Sequence, residues 1–199
     1  MSYIPEVKIE EIAQEVFRRS GRKIPVDIDG IIEFQFDLNF DWQDLPDNIL
    51  AALNVSERTI YMNSRRESEF QNNIGRMNFT KAHELGHWIL HATESLNLFE
   101  KFSENLICRG IFRREPIEWQ ADYFAASLLM PREKFTEYYL TIPESVRYSW
   151  DALNCISTQF LVSKQAARIR LEQLKLIYVR SDGKILKEKP SNFKQTSLF

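Results

Sequence analysis

The chain has 199 residues, 44% of them hydrophobic and 13% aromatic, enough for a buried core and too apolar for global disorder. Its length fits one domain, or one domain with a small appendage. No apolar run approaches the roughly 18 residues that a membrane helix needs. Net charge is −2 but unevenly spread. Residues 157–199 carry nine Lys or Arg against three Asp or Glu, a net of +6, which leaves −8 on residues 1–156. Such a basic segment serves either as a nucleic-acid or acidic-partner surface or as a solvated tail.

The opening "MSYIPEVKIEEIAQEV" is acidic and amphipathic, unlike a signal peptide. Cys108 and Cys155 are far apart and form no CxxC, so they read as reduced, buried thiols in a cytoplasmic protein. Residues 6–19 place Val7, Ile9, Ile12, Val16 and Phe17 near one stripe, predicting a helix ended by Gly21. "IPVDIDGIIEF" reads as a second, short helix. "ILAALNVSERTIYMN" reads as two strands around a turn at Val55–Arg58, the second being Thr59–Asn63. A polar helix-like stretch, 64–74, ends at Gly75, and a helix from Met77 to about His91 carries every histidine of the chain.

Residues 95–115 look irregular. Pro116 opens the helix "PIEWQADYFAASLLM", and Pro131 ends it and starts another. Beyond Pro143 the chain reads as helical through "QFLVSKQAARIRLEQLKLI". "LIYVRSDGKILKE" then reads as a hairpin around Ser181-Asp182-Gly183, and the last residues as a fraying tail. The order predicts an α+β fold: a domain over 1–148 with a small sheet against helices, a helix-turn-helix-like segment with a packed hairpin over 149–188, and a flexible tail over 189–199.

"HELGHWILH", residues 83–91, carries the chemistry. Four residues advance a helix by about 400°, so His83 and His87 project from one face, one turn apart. Two imidazoles so placed reach a single zinc at about 2.0–2.1 Å, and Glu84 leans toward the same face, close enough to act on a zinc-bound water. Gly86 lets another element press against the helix there, which offsets its helix-propensity cost of roughly 1 kcal/mol. His91 lies two turns from His83, too far along the axis to share the metal. It is expected to make a structural hydrogen bond near the helix C-terminus.

A catalytic zinc needs a third protein ligand. Glu118 is the best candidate, since it begins a new helix whose Ala121, Ala125 and Ala126 permit close approach; Glu115 is the competitor, but it precedes Pro116. Asp122, one turn past Glu118, is placed to accept the second ring N–H of a ligating histidine. An oxyanion stabiliser is also required. Tyr61, Arg76 and Tyr123 are candidates, each more readily read as structural than as catalytic.

With "FTKAHELGHWILH" and "EWQADYFAASLLMP" both in place, the chain resembles the ImmA/IrrE family of zinc metallopeptidases from about Pro25 to Ile177. Phe79, Thr80, Ala82, Phe124-Ala125-Ala126 and Leu129-Met130-Pro131 match that pattern. The resemblance implies a zincin-like fold, zinc on His83, His87 and Glu118, and Glu84 as catalytic base. Asp122 stands where many relatives have Asn. It further implies a cytoplasmic endopeptidase whose substrate is a helix-turn-helix repressor, in stress response or mobile-element or toxin–antitoxin regulation. The alternative is a DNA- or partner-binding regulator. "STQFLVSKQAARIRLEQLKLI" resembles a helix-turn-helix with its turn near Val162-Ser163 and Lys164, Arg168 and Lys175 in the second helix, and the hairpin 176–188, with Arg180, Lys184 and Lys187, would be a wing.

Overall fold

A computed structural model describes residues 3–95, 106–108, 116–180 and 182–189. Helix α1 (Glu6–Arg19) opens after Pro5, with Glu6 in its first turn and Arg18 and Arg19 in its last, the charge order that suits a helix dipole. Its buried stripe of Ile9, Ala13, Val16 and Phe17 follows the 3.6-residue period. The short α2 (Ile28–Gly30), capped by the Asp27 carboxylate on the Gly30 N–H at 3.0 Å, runs on as a π-helical turn, Ile31–Gln35.

Strands β1 (Asn39–Gln43), β2 (Ala51–Asn54), β3 (Thr59–Asn63) and β4 (Leu106–Cys108) form one sheet in the order β1-β3-β2-β4. β2 and β3 are the expected antiparallel pair, while β1 lies parallel to β3 in the register Asn39↔Thr59. β4 pairs antiparallel to β2 inside the stretch expected to be irregular. Neither β1 nor β4 shows an alternating pattern long enough to be read from sequence; backbone pairing to a neighbour holds each in place.

A 3₁₀ turn (Ser64–Arg66) and α3 (Glu67–Gln71) lead into α4 (Ile74–Ser95). The metal-motif helix therefore starts earlier and ends later than expected, and Gly75 sits in its first turn instead of ending a preceding helix. α5 (Pro116–Leu129) begins at Pro116 as predicted and is buried on most of its surface, from Gln120 through Leu129 with only Asp122 less covered. It packs along α4 on one side and α1 on the other.

Helices α6 (Arg132–Thr141), α7 (Glu144–Arg147), α8 (Trp150–Phe160) and α9 (Lys164–Gln173) follow. Ser149 caps α8 and Ser163 caps α9, with left-handed Leu161 at the turn between them. The hairpin of β5 (Tyr178–Val179) and β6 (Ile185–Leu186) is shorter than its sequence suggests, with Gly183 at φ +82° in the turn. Ala167, Leu171, Ile177, Val179 and Ile185 join the same core as α1, α4 and α5. Cys155 is free and exposed on α8, not buried as expected. Ser181, Glu115 and the 190–199 part of the expected tail lie outside the described residues.

Candidate metal centre

The histidine stripe of α4 is turned inward. His83 and His87 are fully buried and His91 is nearly so, with ring centroids 4.7 Å apart for the first pair and 5.3 Å for the second. Helix α5 supplies the opposing side chains. His83 Nε2 lies 3.0 Å from His87 Nε2; Glu118 brings Oε2 to 3.3 Å from the first and Oε1 to 3.2 Å from the second. These three residues form a group whose ligand atoms all lie within 4.8 Å of one another, the one such group among the described residues.

Those separations fit a metal. Tetrahedral coordination with bonds of about 2.0–2.1 Å sets ligand–ligand edges at about 3.3 Å. The ring tautomers fit as well. Asp122 Oδ1 lies 2.8 Å from His83 Nδ1, and an ionised carboxylate only accepts, so Nδ1 donates and Nε2 is left with its lone pair pointing at Glu118. Burial pushes the Glu118 carboxyl up, but the two imidazoles beside it outweigh burial and hold it well below the usual carboxylate range. Burial also pushes His87 down to about 4, against the pull of Glu118, so a proton is held poorly on that ring. The spacing of the three ligand groups suits a cation between them.

Close approach of α4 and α5 makes this possible, and Gly86 is where it happens. A Cβ there would meet Phe124 Cδ1 at 3.1 Å and the Cα and carbonyl oxygen of Ala121 at 3.2 Å. The small residues at 86 and 121 let a side chain as short as Glu118 reach both rings. Glu84 is fully buried, one residue beyond His83.

Among solved structures, one described as a Mycobacterium tuberculosis transcriptional regulator superposes with a TM-score of 0.58 at 16% identity, covering 92% of this chain and 54% of that one. At that identity the likeness concerns the fold alone, and this chain spans about half the length of that regulator. No curated protein matches the chain. A family's sequence model does: the IrrE N-terminal-like peptidase domain matches residues 56–172, more than half of the chain, a span that contains His83, Glu84, His87 and Glu118. The chain belongs to this peptidase family. The family and the helix-plus-small-sheet architecture agree with an α+β, zincin-like fold.

β3 cannot take up an extended substrate, because β1 and β2 occupy both of its edges. His91 stays out of the ligand group and makes structural hydrogen bonds, as expected, but its partners are His87 Nδ1 at 3.2 Å and Gln120 Oε1 at 2.9 Å, and α4 runs on to Ser95. The oxyanion candidates have other partners. Tyr61 donates to Glu57 at 2.6 Å, Arg76 pairs with Glu69, and Tyr123 packs on Trp119 beside the groove holding Glu10 and Arg132.

Sequence reading missed Gln120 and Lys81. Lys81, buried on α4, pairs with Asp29 at 2.7 Å and lies 4.3 Å from the centre of the Phe40 ring, tying the metal-motif helix to α2 and β1. The i, i+4 spacing of His87 and His91 is the visible signal for the contact between those two rings. Nothing local marks Gln120 or Asp29.

Proposed function

We propose that this chain is a zinc-dependent endopeptidase that cuts a cytoplasmic protein, with a helix-turn-helix transcriptional repressor as its substrate, in stress response or mobile-element or toxin–antitoxin regulation. The observation that carries the reading is the convergence of His83 Nε2, His87 Nε2 and the Glu118 carboxylate at tetrahedral-edge separations, with His83 already held in the ligating tautomer by Asp122. A zinc ion bound there would supply Lewis acidity, polarising the scissile carbonyl and lowering the pKa of a coordinated water. Glu84, buried one residue beyond His83, takes the proton of the attacking water and passes it to the leaving amine. No helix among the described residues is long and apolar enough to cross a membrane.

The DNA-binding alternative draws on the basic C-terminal segment, but three of the six side chains it names, Arg168, Arg180 and Lys187, are engaged in ion pairs. Arg170 is buried against Glu10, Arg168 pairs with Glu172 at 3.3 Å, Arg180 with Asp182 at 3.3 Å, and Lys187 with Glu144 at 2.9 Å. The segment serves better as a docked part of the peptidase body.

Incubating the zinc-loaded protein with the repressor encoded beside its gene tests the two readings together. The expected result is a single cut, abolished by a chelator and by Glu84→Gln. An intact repressor, with residues 157–199 shifting operator DNA with a steep salt dependence, overturns the peptidase reading in favour of the alternative.

A further inference from the structure

His83 and His87 are held from behind in different ways. The acceptor for His83 Nδ1 is a carboxylate, Asp122 at 2.8 Å, whereas the group facing His87 Nδ1 is another imidazole, His91 Nδ1 at 3.2 Å. Two ring nitrogens at that separation share one proton, and which ring owns it depends on the far side of His91. On that side the Gln120 amide turns its oxygen to the ring, with Oε1 2.9 Å from His91 Nε2, and an amide oxygen only accepts. His91 therefore carries its proton on Nε2 and offers a lone pair on Nδ1, so His87 donates from Nδ1. Its Nε2, 3.0 Å from His83 Nε2 and 3.2 Å from Glu118 Oε1, is then left bare and directed at the metal position.

We propose that Gln120 and His91 form a hydrogen-bond relay that fixes His87 in its Nδ1-protonated tautomer and aims Nε2 at the metal. Both are positioning residues: neither touches the ion, and each acts through His87. All members are buried, Gln120 at 1% and His91 at 4% exposure, so water does not compete for the ring protons. The relay crosses from α5 to α4, which means that the same helix supplies the third ligand Glu118 and, two residues on, the group that sets the tautomer of the second. Docking of α5 against α4 thus completes the ligand set and readies a ligand already present on α4. The inference rests on the metallopeptidase reading for its purpose, but the tautomer belongs to the metal-free chain and is measurable there.

The test uses the full-length protein. Because the chain has three histidines, ring ¹⁵N spectra are assigned by substituting each in turn. In metal-free wild type His87 is expected to show a protonated Nδ1 and a bare Nε2, and His91 the reverse. Zinc affinity by competition with a chromophoric chelator is expected to fall about 10- to 100-fold in Gln120→Leu and His91→Phe, the range for groups that orient a metal ligand. Gln120→Glu, which keeps the acceptor, is expected to restore both the wild-type tautomer and wild-type affinity. Thermal unfolding of the metal-free variants separates lost folding from lost orientation, and the Gln120 pair suffices if His91→Phe does not fold. A His87 protonated on Nε2 in wild type overturns the relay, as does wild-type affinity in Gln120→Leu. Absence of zinc binding in wild type with the expected tautomers overturns the metallopeptidase reading while leaving the relay standing.

Discussion

Glu10 and Arg170 stand 160 positions apart in the chain and meet in the interior, Arg170 Nη2 to Glu10 Oε1 at 2.6 Å and Nη1 to Oε2 at 3.0 Å. Ser127 also donates to Glu10 Oε2 at 3.0 Å, and Arg170 Nε donates to the Met130 carbonyl at 3.0 Å, so the pair joins α1, α5 and α9 at one point. Arg170 is fully buried. Removing one partner strands a charge where water cannot solvate it. Arg170→Leu is expected to lose about 3–5 kcal/mol of stability, and Glu10→Leu/Arg170→Leu less than the sum of the two single changes. Urea denaturation measures both. A loss below about 1 kcal/mol for Arg170→Leu, the scale of exposed pairs, would show that the interior pair does not form.

The same pair gives stability a pH dependence. Burial pushes the Glu10 carboxyl up, but the hydrogen bond and charge of Arg170, with help from Ser127 and Arg132, outweigh it and leave the group below its ordinary value of 4.5. A carboxyl depressed in the folded state stabilises fully above its unfolded value and loses that contribution as pH falls through the folded one. Wild type is therefore expected to lose stability more steeply below pH 4.5 than Glu10→Gln, since the other carboxylates are common to both proteins. Equal slopes in denaturation series from pH 6 downward would remove Glu10 as the cause.

Gly75 lets the turn between α8 and α9 rest on the first turn of α4. A Cβ there would fall 2.7 Å from Ser163 N and 2.8 Å from Val162 Cα, both backbone atoms. Alanine favours a helix over glycine by roughly 1 kcal/mol, yet Gly75→Ala is expected to destabilise by about 1–3 kcal/mol, because the overpacked backbone must move. Loss of the Asn78-to-Leu161 carbonyl hydrogen bond, 3.2 Å long, should accompany it. Thermal unfolding decides the sign: a stabilised variant would mean that the turn does not rest on α4.

Metal content follows from the ligand group. Purified protein is expected to hold about one zinc per chain, the number a single three-ligand site takes. His83→Ala, His87→Ala and Glu118→Ala should each lower occupancy by elemental analysis. Wild-type occupancy in Glu118→Ala would move the third ligand elsewhere.

Glu84→Gln separates chemistry from binding. The ligands stay in place, so zinc content should match wild type, while cleavage should fall by at least about 10²–10⁴-fold, the range for a lost general base. Comparable turnover of the same substrate by both proteins would remove Glu84 from its assigned role.

How much of this was legible in advance follows from what is local. A helix repeats every 3.6 residues whatever surrounds it, so the spacing of His83, Glu84 and His87 announced a metal-binding face. Pro116 announced the start of the helix that brings Glu118, and Val162-Ser163 marked the turn before α9. Gly86 announced a close approach, and Ala121 proved to be the surface that makes it. Strand β1 was not readable: "NFDWQ" is mostly exposed, and its backbone hydrogen bonds to β3 identify it. Nor were the pairings of His91 with Gln120, Lys81 with Asp29, or Arg170 with Glu10. Each joins different helices, and which faces of two helices meet depends on the packing of the whole core. Spacing along the chain determined which atoms face one way; only the folded core decided what they face.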